Sequence, residues 1–266
     1  MKKFLKSIIP PILLSLFNKI KPSRYGWKGE YKTWVEASRQ STGYSEELII
    51  KKVRESAMAV KLGLAAYERD SILFKDAKYN WPLLTALLFS YSKKNYLSII
   101  DFGGSLGSSY YQHKKYLTHL KDFKWGIVEQ PNFVKVGKRE FENNNLKFFN
   151  NIEECNKEIN PNTLILSAVL QYIEEPYKLL EMLLSYNYET IIIDRTPFVL
   201  NSEYVSIQHV PPQIYDASYP CWFFNQKKFR SFFLKRGYNL IDEFETIEYT
   251  SPEYKFKGLI FTNSLI

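Results

Sequence analysis

From Leu97 onward, short apolar runs alternate with longer amphipathic stretches. Leu97, Ile99 and Ile100 lead into Asp101, and KWGIVE, LKFF, TLILS and TIIID repeat that form further along. Runs this short and this continuous suit strands buried on both faces, so strands are predicted at 97–101, 124–129, 146–149, 162–167 and 190–194, with helices between them. Two later strands, at 239–246 and 256–262, enclose no long helix. The expected fold class is therefore α/β, with a seven-stranded, mostly parallel sheet carrying helices on both faces.

Ahead of that alternation the pattern is helical. Ser45 precedes two glutamates as a helix start, and Leu48, Ile49, Val53, Ala57, Val60 and Leu64 form a stripe that predicts a helix over 46–68. A second helix fits Pro82 to Tyr91, with the proline in its first turn. Tyr25, Trp27, Tyr31 and Trp34 suit either packing in a small accessory subdomain or the lining of a cap above the sheet. At the start of the chain, after Pro10 and Pro11, Leu13, Leu16, Phe17 and Ile20 share one helical face between lysines. The organisation expected is a basic amphipathic arm at 1–24, a helical cap or accessory region at 25–95 and the sheet domain at 96–266.

Charge sharpens the reading of the arm. The formal net charge is +8, yet nine basic side chains and only two acids fall within residues 1–39, so the rest is close to neutral. A nucleic-acid enzyme needs its basic residues spread beside the active site to neutralise phosphates, so no nucleic-acid partner is expected. The apolar run Ile8 to Phe17 is ten residues, short of the roughly 20 that a spanning helix requires. It mimics a signal peptide without a small-x-small cleavage site. Such an arm fits the headgroup region of an anionic leaflet, or packs as a helix on its own domain. Cys155 and Cys221 supply neither a disulfide framework nor a zinc cluster, which points to a reducing cytoplasm and no metal.

Candidate chemistry begins at Asp101-Phe102-Gly103-Gly104-Ser105-Leu106-Gly107. A buried strand, a glycine turn and a helix start are what a nucleotide-like cofactor needs, because backbone must approach it closely. The dinucleotide fingerprint G-x-G-x-x-G fails, since Phe102 stands where its first glycine belongs. Glu129 ends the next strand, 22 residues after Gly107, where a carboxylate accepts hydrogen bonds from ribose hydroxyls.

The stretch D-F-G-G-S-L-G resembles the first motif of class I S-adenosylmethionine-dependent methyltransferases, departing from the commoner E/D-x-G-x-G-x-G at Ser105. TLILSAVLQYIEEPYKLLEML resembles the fourth-strand region of the same enzymes, and no N-P-P-Y or D-P-P-Y follows that strand. Together with GWKGEYKTWVEA, GYSEELIIKKV, YERDSILF, IIIDRTPF and IYDASYPCWFF, these segments resemble a family of methyltransferases found in bacterial polysaccharide and lipopolysaccharide biosynthesis loci. The resemblance implies a Rossmann-like fold, S-adenosylmethionine as cofactor and a glycan or glycan-precursor substrate. It makes Asp101, Gly103, Gly104, Gly107 and Glu129 cofactor residues, with Asp101 facing the methionine end. Asn150 would read the adenine, while Asn151 caps the following helix, and Ser167 and Val169 would pass along the cofactor with Gln171 and Tyr172 facing substrate.

Methyl transfer to a hydroxyl needs positioning and a base. Asp194 and Arg195 fall at the carboxyl edge of the fifth strand, and residues 205–225, rich in proline and aromatics, read as a loop walling the substrate. His209 lies in that loop and is the expected base, with Asp194 as its partner or substitute. Arg195, Tyr172, Tyr215 and Trp222 are the expected substrate contacts, whereas His113 and His119 read as solvated. A basic, apolar arm suits an acceptor that is lipid-linked at the inner membrane face. A soluble nucleotide sugar or other small molecule, or cofactor binding without turnover, are the competing readings.

Overall fold

A computed structural model describes residues 25–43, 46–212, 214, 216–246, 248 and 251–264. The arm at 1–24, the expected helix start at Ser45 and the candidate Tyr215 lie outside the described residues.

The region before the main sheet comprises β1 (Gly26–Tyr31), α1 (Trp34–Arg39), α2 (Glu46–Lys61), the hairpin strands β2 (Tyr67–Arg69) and β3 (Ile72–Phe74), and α3 (Trp81–Lys94). It contains the two expected helices and, in addition, β1 and a β-hairpin. α2 ends at Lys61 instead of running to 68, because Gly63 turns left-handed at φ +75° and the Leu64 N–H bonds back to the Ala59 carbonyl. The hairpin follows on Asp70 and Ser71, both at the positive φ that a tight two-residue turn demands. α3 starts as its proline indicates, capped by Asn80, whose Oδ1 accepts from the Leu83 N–H at 3.2 Å.

The expected alternation then appears: β4 (Leu97–Phe102), α4 (Ser108–Leu117), β5 (Phe123–Val128), α5 (Pro131–Glu140), β6 (Leu146–Phe149), α6 (Ile152–Ile159), β7 (Thr163–Ser167), a single 3-10 turn at Leu170–Tyr172, α7 (Pro176–Leu184) and β8 (Thr190–Val199). After β9 (Tyr204–Val210) and β10 (Ala217–Asn225) come α8 (Gln226–Leu234), β11 (Asn239–Glu245) and β12 (Lys255–Thr262). Strands β6, β5, β4, β7 and β8 lie side by side in that order and run parallel. β12 pairs antiparallel with β8, and β11 with β12. These are the seven expected strands.

Successive residues of a strand point to opposite faces, and that alternation divides the core. Ile99, Trp125 and Phe148 pack on one face with Leu83 and Leu87 of α3 and Tyr110 of α4. Ile100, Leu164 and Ile193 pack on the other with Cys155 of α6, Leu180 of α7 and Phe229 of α8.

Residues 205–225 do not form a loop. They make β9 and β10, an antiparallel pair whose register matches Tyr219 to Gln208 and Cys221 to Ser206, and β1 adds to the outer edge of β9. This accessory sheet joins the main one where Phe224 and Asn225 pair, parallel, with Phe198 and Val199, beyond the part of β8 that pairs with β7. Val205, Tyr219 and Phe223 give the stretch its strand character, and Pro220 is tolerated in a strand that is short of neighbours on one side. Among the described residues no helix is long and apolar enough to cross a membrane.

Candidate functional site

A cavity of about 1200 Å³ opens at the carboxyl ends of β4, β5, β7 and β8, where Gly103, Glu129, Val169 and Arg195 line it. The accessory sheet closes the opposite side with Trp27, Gln208 and Tyr219. Open parallel sheets bind ligands at this edge, and the volume exceeds the roughly 300–1,000 Å³ usual for one small ligand.

The glycine turn is shaped by close packing. Gly103 sits at φ +72°, and a Cβ there would lie 2.6 Å from Cγ2 of Val169, so the turn and the residue after β7 interlock only without a side chain. A Cβ on Gly104 would lie 2.5 Å from Cγ of Asp101. Gly107 ends the turn at the N-terminus of α4. Of these glycines, Gly103 lines the cavity and the other two shape the turn behind it.

Asp101 corrects the expectation that its carboxylate faces the cavity. It is 1% exposed, beneath the turn, and its Oδ2 accepts from the Trp125 indole N–H at 3.1 Å. Burial pushes its pKa up to about 7 against the indole's pull, and the nearby Glu129 and Asp194 add to the rise. Glu129 is the carboxylate that reaches the cavity wall. Its Oε1 accepts from the Ser105 N–H of the glycine turn at 3.2 Å and its Oε2 from the Gln130 N–H at 2.8 Å. Asn150 is exposed on the same side, while Asn151 caps α6 as expected, accepting from the Glu154 N–H at 2.9 Å.

Beyond β7 the two expected substrate residues, Gln171 and Tyr172, both line the cavity. Gln171 donates from Nε2 to the Arg195 carbonyl at 3.1 Å, and Tyr172 donates its hydroxyl to Gln208 Oε1 at 2.6 Å. Burial raises the Tyr172 pKa well above the usual phenol value, so the hydroxyl stays protonated. The backbone bends sharply here, with Ala168 at φ +54° and Arg195 at φ +50°. At Arg195 the register with β12 shifts between Ile193 and Thr196, a bulge that turns the guanidinium toward the cavity. There it pairs with Asp70 at 2.6 Å and with Glu248. Burial opposes this charge, but Asp70, Glu248 and Asp194 together hold the guanidinium more firmly protonated than usual.

Asp194 is set back from the wall. Ser167 Oγ and Asn80 Nδ2 donate to its Oδ2 at 3.0 and 3.1 Å, and its Oδ1 is buried without a hydrogen-bond partner. Burial raises its pKa to about 6, against Arg195 and Ser167, which lower it. Ser167 therefore belongs to this buried network and not to the cavity lining. The network continues to His113, which is 0% exposed rather than solvated: its Nε2 accepts from the Asn80 N–H at 3.1 Å and its Nδ1 lies 2.8 Å from the Ser109 carbonyl. Burial lowers its pKa, keeping the ring neutral with the proton on Nδ1. His119 is exposed, as expected.

The structure separates His209 from Asp194. On β9 the cavity is lined by Gln208 and Val210, and the alternation of the strand sends the His209 side chain to the other face; its cross-strand partner Ser218 lines the cavity, but His209 does not. Burial and the neighbouring Lys28 lower its pKa, but it has no place in the cavity wall. Trp222 shares that face, which packs against α1. It stacks on Trp34 at 6.4 Å and donates to the Glu174 carbonyl at 3.3 Å, as a packing residue. The wall instead gains Trp27, one of the aromatics read as packing residues or a cap lining, together with Asp70, Gln208, Tyr219 and Glu248, which sequence reasoning missed as site residues. They are far apart in the chain, and only the aromatics at 25–34 carried a signal.

No protein-family model matches the sequence. No curated protein matches it either. Among solved structures, the N-terminal domain of EvdMO1 determined in the presence of SAH and D-fucose is similar with a TM-score of 0.51, covering 80% of this chain and 96% of that one at 13% identity. The same domain with SAH bound gives 0.50 over 83% and 98%, again at 13% identity. Magnesium protoporphyrin IX methyltransferase from Synechocystis PCC 6803 with bound SAM gives 0.46 over 80% and 97%, at 14% identity. The likeness is one of fold: a mixed α/β chain around a mostly parallel, Rossmann-like sheet.

Proposed function

We propose that this chain is an S-adenosylmethionine-dependent methyltransferase acting on a hydroxyl of a bacterial surface-glycan precursor. One observation carries the cofactor reading: the glycine turn and the acid ending the next strand meet at one cavity, joined by the bond from Ser105 N–H to Glu129. In this reading Gly103 lets the backbone approach the cofactor, Glu129 accepts from its ribose and Asn150 stands at its adenine end. Asp101 and Asp194 form a buried acidic floor that favours a cationic sulfonium above it. When bound, S-adenosylmethionine supplies a methyl group on a positively charged sulfur. The N-terminal domain of EvdMO1, which shares the fold, was determined with SAH, and this agrees with the reading.

The chain's part in the reaction is mainly placement. Tyr172, Gln208 and Tyr219 present a hydroxyl, an amide and a ring edge, the surfaces on which a sugar packs. Asp70, whose side chain is open to solvent as well as to the cavity, is placed to carry the acceptor's proton away. The glycan assignment rests on the sequence resemblance. Membrane association through residues 1–24, in a cytoplasmic enzyme peripheral to the inner face, rests on that arm's charge and apolar stripe.

Titration calorimetry with S-adenosylhomocysteine tests the cofactor: micromolar binding is expected, and no heat would sink the proposal. Mass spectrometry of surface glycans from a deletion strain tests the acceptor, with loss of a 14-dalton increment expected. Removing residues 1–20 and fractionating cells tests the arm. Unchanged recovery in membranes would end that part of the reading.

A further inference from the structure

The accessory sheet turns one row of side chains toward the cavity. Gln208 on β9 is paired with Trp27 on β1 and with Tyr219 on β10, and residues directly opposite one another in paired strands present their side chains on one face. All three line the cavity. The row is therefore an amide between two aromatic rings. Tyr172 holds it from beside, with its ring edge-on to Tyr219 at 5.3 Å and its hydroxyl donating to Gln208 Oε1 at 2.6 Å.

That bond decides which end of the amide a ligand meets. With Oε1 taken by the phenol, the row offers the two N–H donors of Gln208, and neither has a partner among the described residues. Aromatic rings pack against the C–H bonds of a sugar ring, and an amide N–H donates to its oxygens, so the row matches a pyranose. Charge sets a second condition. Among the described lining residues the charged side chains are Asp70, Glu129, Glu248 and Arg195, and the arginine already donates to Asp70 and Glu248. Burial is the main cause of the raised Tyr172 pKa, but the charges of Asp70 and Arg195 also act on that phenol, which places this ion pair close to the row. A phosphate or carboxylate there would meet two carboxylates and, among the described residues, no unmatched cation.

Resting on the methyltransferase reading above, we infer that Trp27, Gln208 and Tyr219 form the acceptor subsite, and that it takes an uncharged pyranose residue held in a glycosidic bond. Gln208 is the residue that sets specificity, because its donors need an oxygen and its neighbours exclude an anion. A nucleotide sugar is not the acceptor, since the diphosphate on its anomeric carbon would lie beside Asp70 and Glu248. The reaction that supplies the substrate is then a glycosyl transfer. In it the C1–O bond to a nucleoside diphosphate breaks, C1 bonds to a hydroxyl oxygen of the growing glycan, and the diphosphate and the hydroxyl's proton leave. Methylation comes after that step.

The test uses full-length protein saturated with S-adenosylhomocysteine, so that the cofactor half is filled, and follows titrations by protein NMR, which reads millimolar binding. The probes are the methyl glycosides of glucose, galactose and mannose, the 1-phosphates of the same sugars, and UDP-glucose, UDP-galactose and GDP-mannose. At least one glycoside is expected to bind, and at least tenfold more tightly than its own 1-phosphate or nucleotide form. Gln208→Glu keeps an acceptor for the Tyr172 hydroxyl but puts an oxygen in place of the amide nitrogen. It should weaken that glycoside at least tenfold while S-adenosylhomocysteine affinity stays within twofold, which also shows that the variant is folded. Binding of no glycoside, equal or tighter binding of a 1-phosphate or nucleotide sugar, or glycoside affinity that survives Gln208→Glu overturns the inference. Failure of the unmodified protein to bind S-adenosylhomocysteine is a different result, and it removes the methyltransferase reading itself.

Discussion

The two walls of the cavity are built in opposite ways. The wall at Gly103 and Glu129 comes from the ends of adjacent parallel strands, so its parts are short-range in sequence and locked by close packing against Val169 and Asp101. The facing wall gathers Trp27, Asp70, Arg195, Gln208, Tyr219 and Glu248 from six segments, and side-chain hydrogen bonds and ion pairs hold it. A wall fixed by backbone tolerates almost no change of residue but demands little of distant contacts. A wall fixed by side-chain pairs can be retuned residue by residue, which suits the role of acceptor wall proposed for it.

The largest effect should come from breaking the first wall. Gly103→Ala adds a Cβ 2.6 Å from Val169 at a positive φ, and it should cost about 2–4 kcal/mol of stability and abolish S-adenosylhomocysteine binding. Thermal melts and calorimetry check this. Adding Val169→Ala should restore part of the stability, since it relieves the clash but not the backbone strain. Recovery to the original melting temperature would show that the conformation of Gly103 is unimportant.

Glu129→Ala and Arg195→Gln should then divide the walls. The first removes the acceptor of the Ser105 N–H and should weaken S-adenosylhomocysteine at least tenfold, about 1.4 kcal/mol or more. The second leaves Asp70 and Glu248 without their common partner and should cost about 1–3 kcal/mol of stability, with cofactor affinity within twofold. A cofactor defect in Arg195→Gln would mean that the two halves are not separable.

A third comparison uses pH. Asp101 at about 7 and Asp194 at about 6 lie above the roughly 3.9 of an unfolded aspartate, so the folded state holds their protons more tightly. Their contribution to stability is complete below about pH 4 and is lost as pH rises through 6 to 7. Relative to Asp101→Asn, the unmodified protein should lose up to about 1.4 kcal/mol per pH unit across that window. Parallel curves for the two proteins would show that Asp101 is ionised throughout. The smallest effect is expected at His209→Ala, which should leave S-adenosylhomocysteine affinity and methyl transfer within twofold, because the side chain is not part of the cavity wall.

The sequence by itself determined the seven-strand frame and the first wall. Continuous apolar runs have no stable place except the inside of a covered sheet, and a glycine turn bounded by acids has few other uses at a strand end. Helix starts were equally legible at Asn151 and Pro82, because a cap is a matter of three or four consecutive residues.

Only the tertiary structure decided the rest. The stretch 205–225 read as a loop because its prolines and aromatics hide the period of two, and its strand character depends on β1, more than 170 residues earlier, lying beside it. Pairing in β9 then put Gln208 rather than His209 into the cavity, since a shift of one residue reverses every side chain in a strand. His113 looked solvated because nothing near it in the chain announces Asn80, whose N–H its ring accepts. Burial, register and a partner from a distant segment are properties of the packed chain, and no local pattern encodes them.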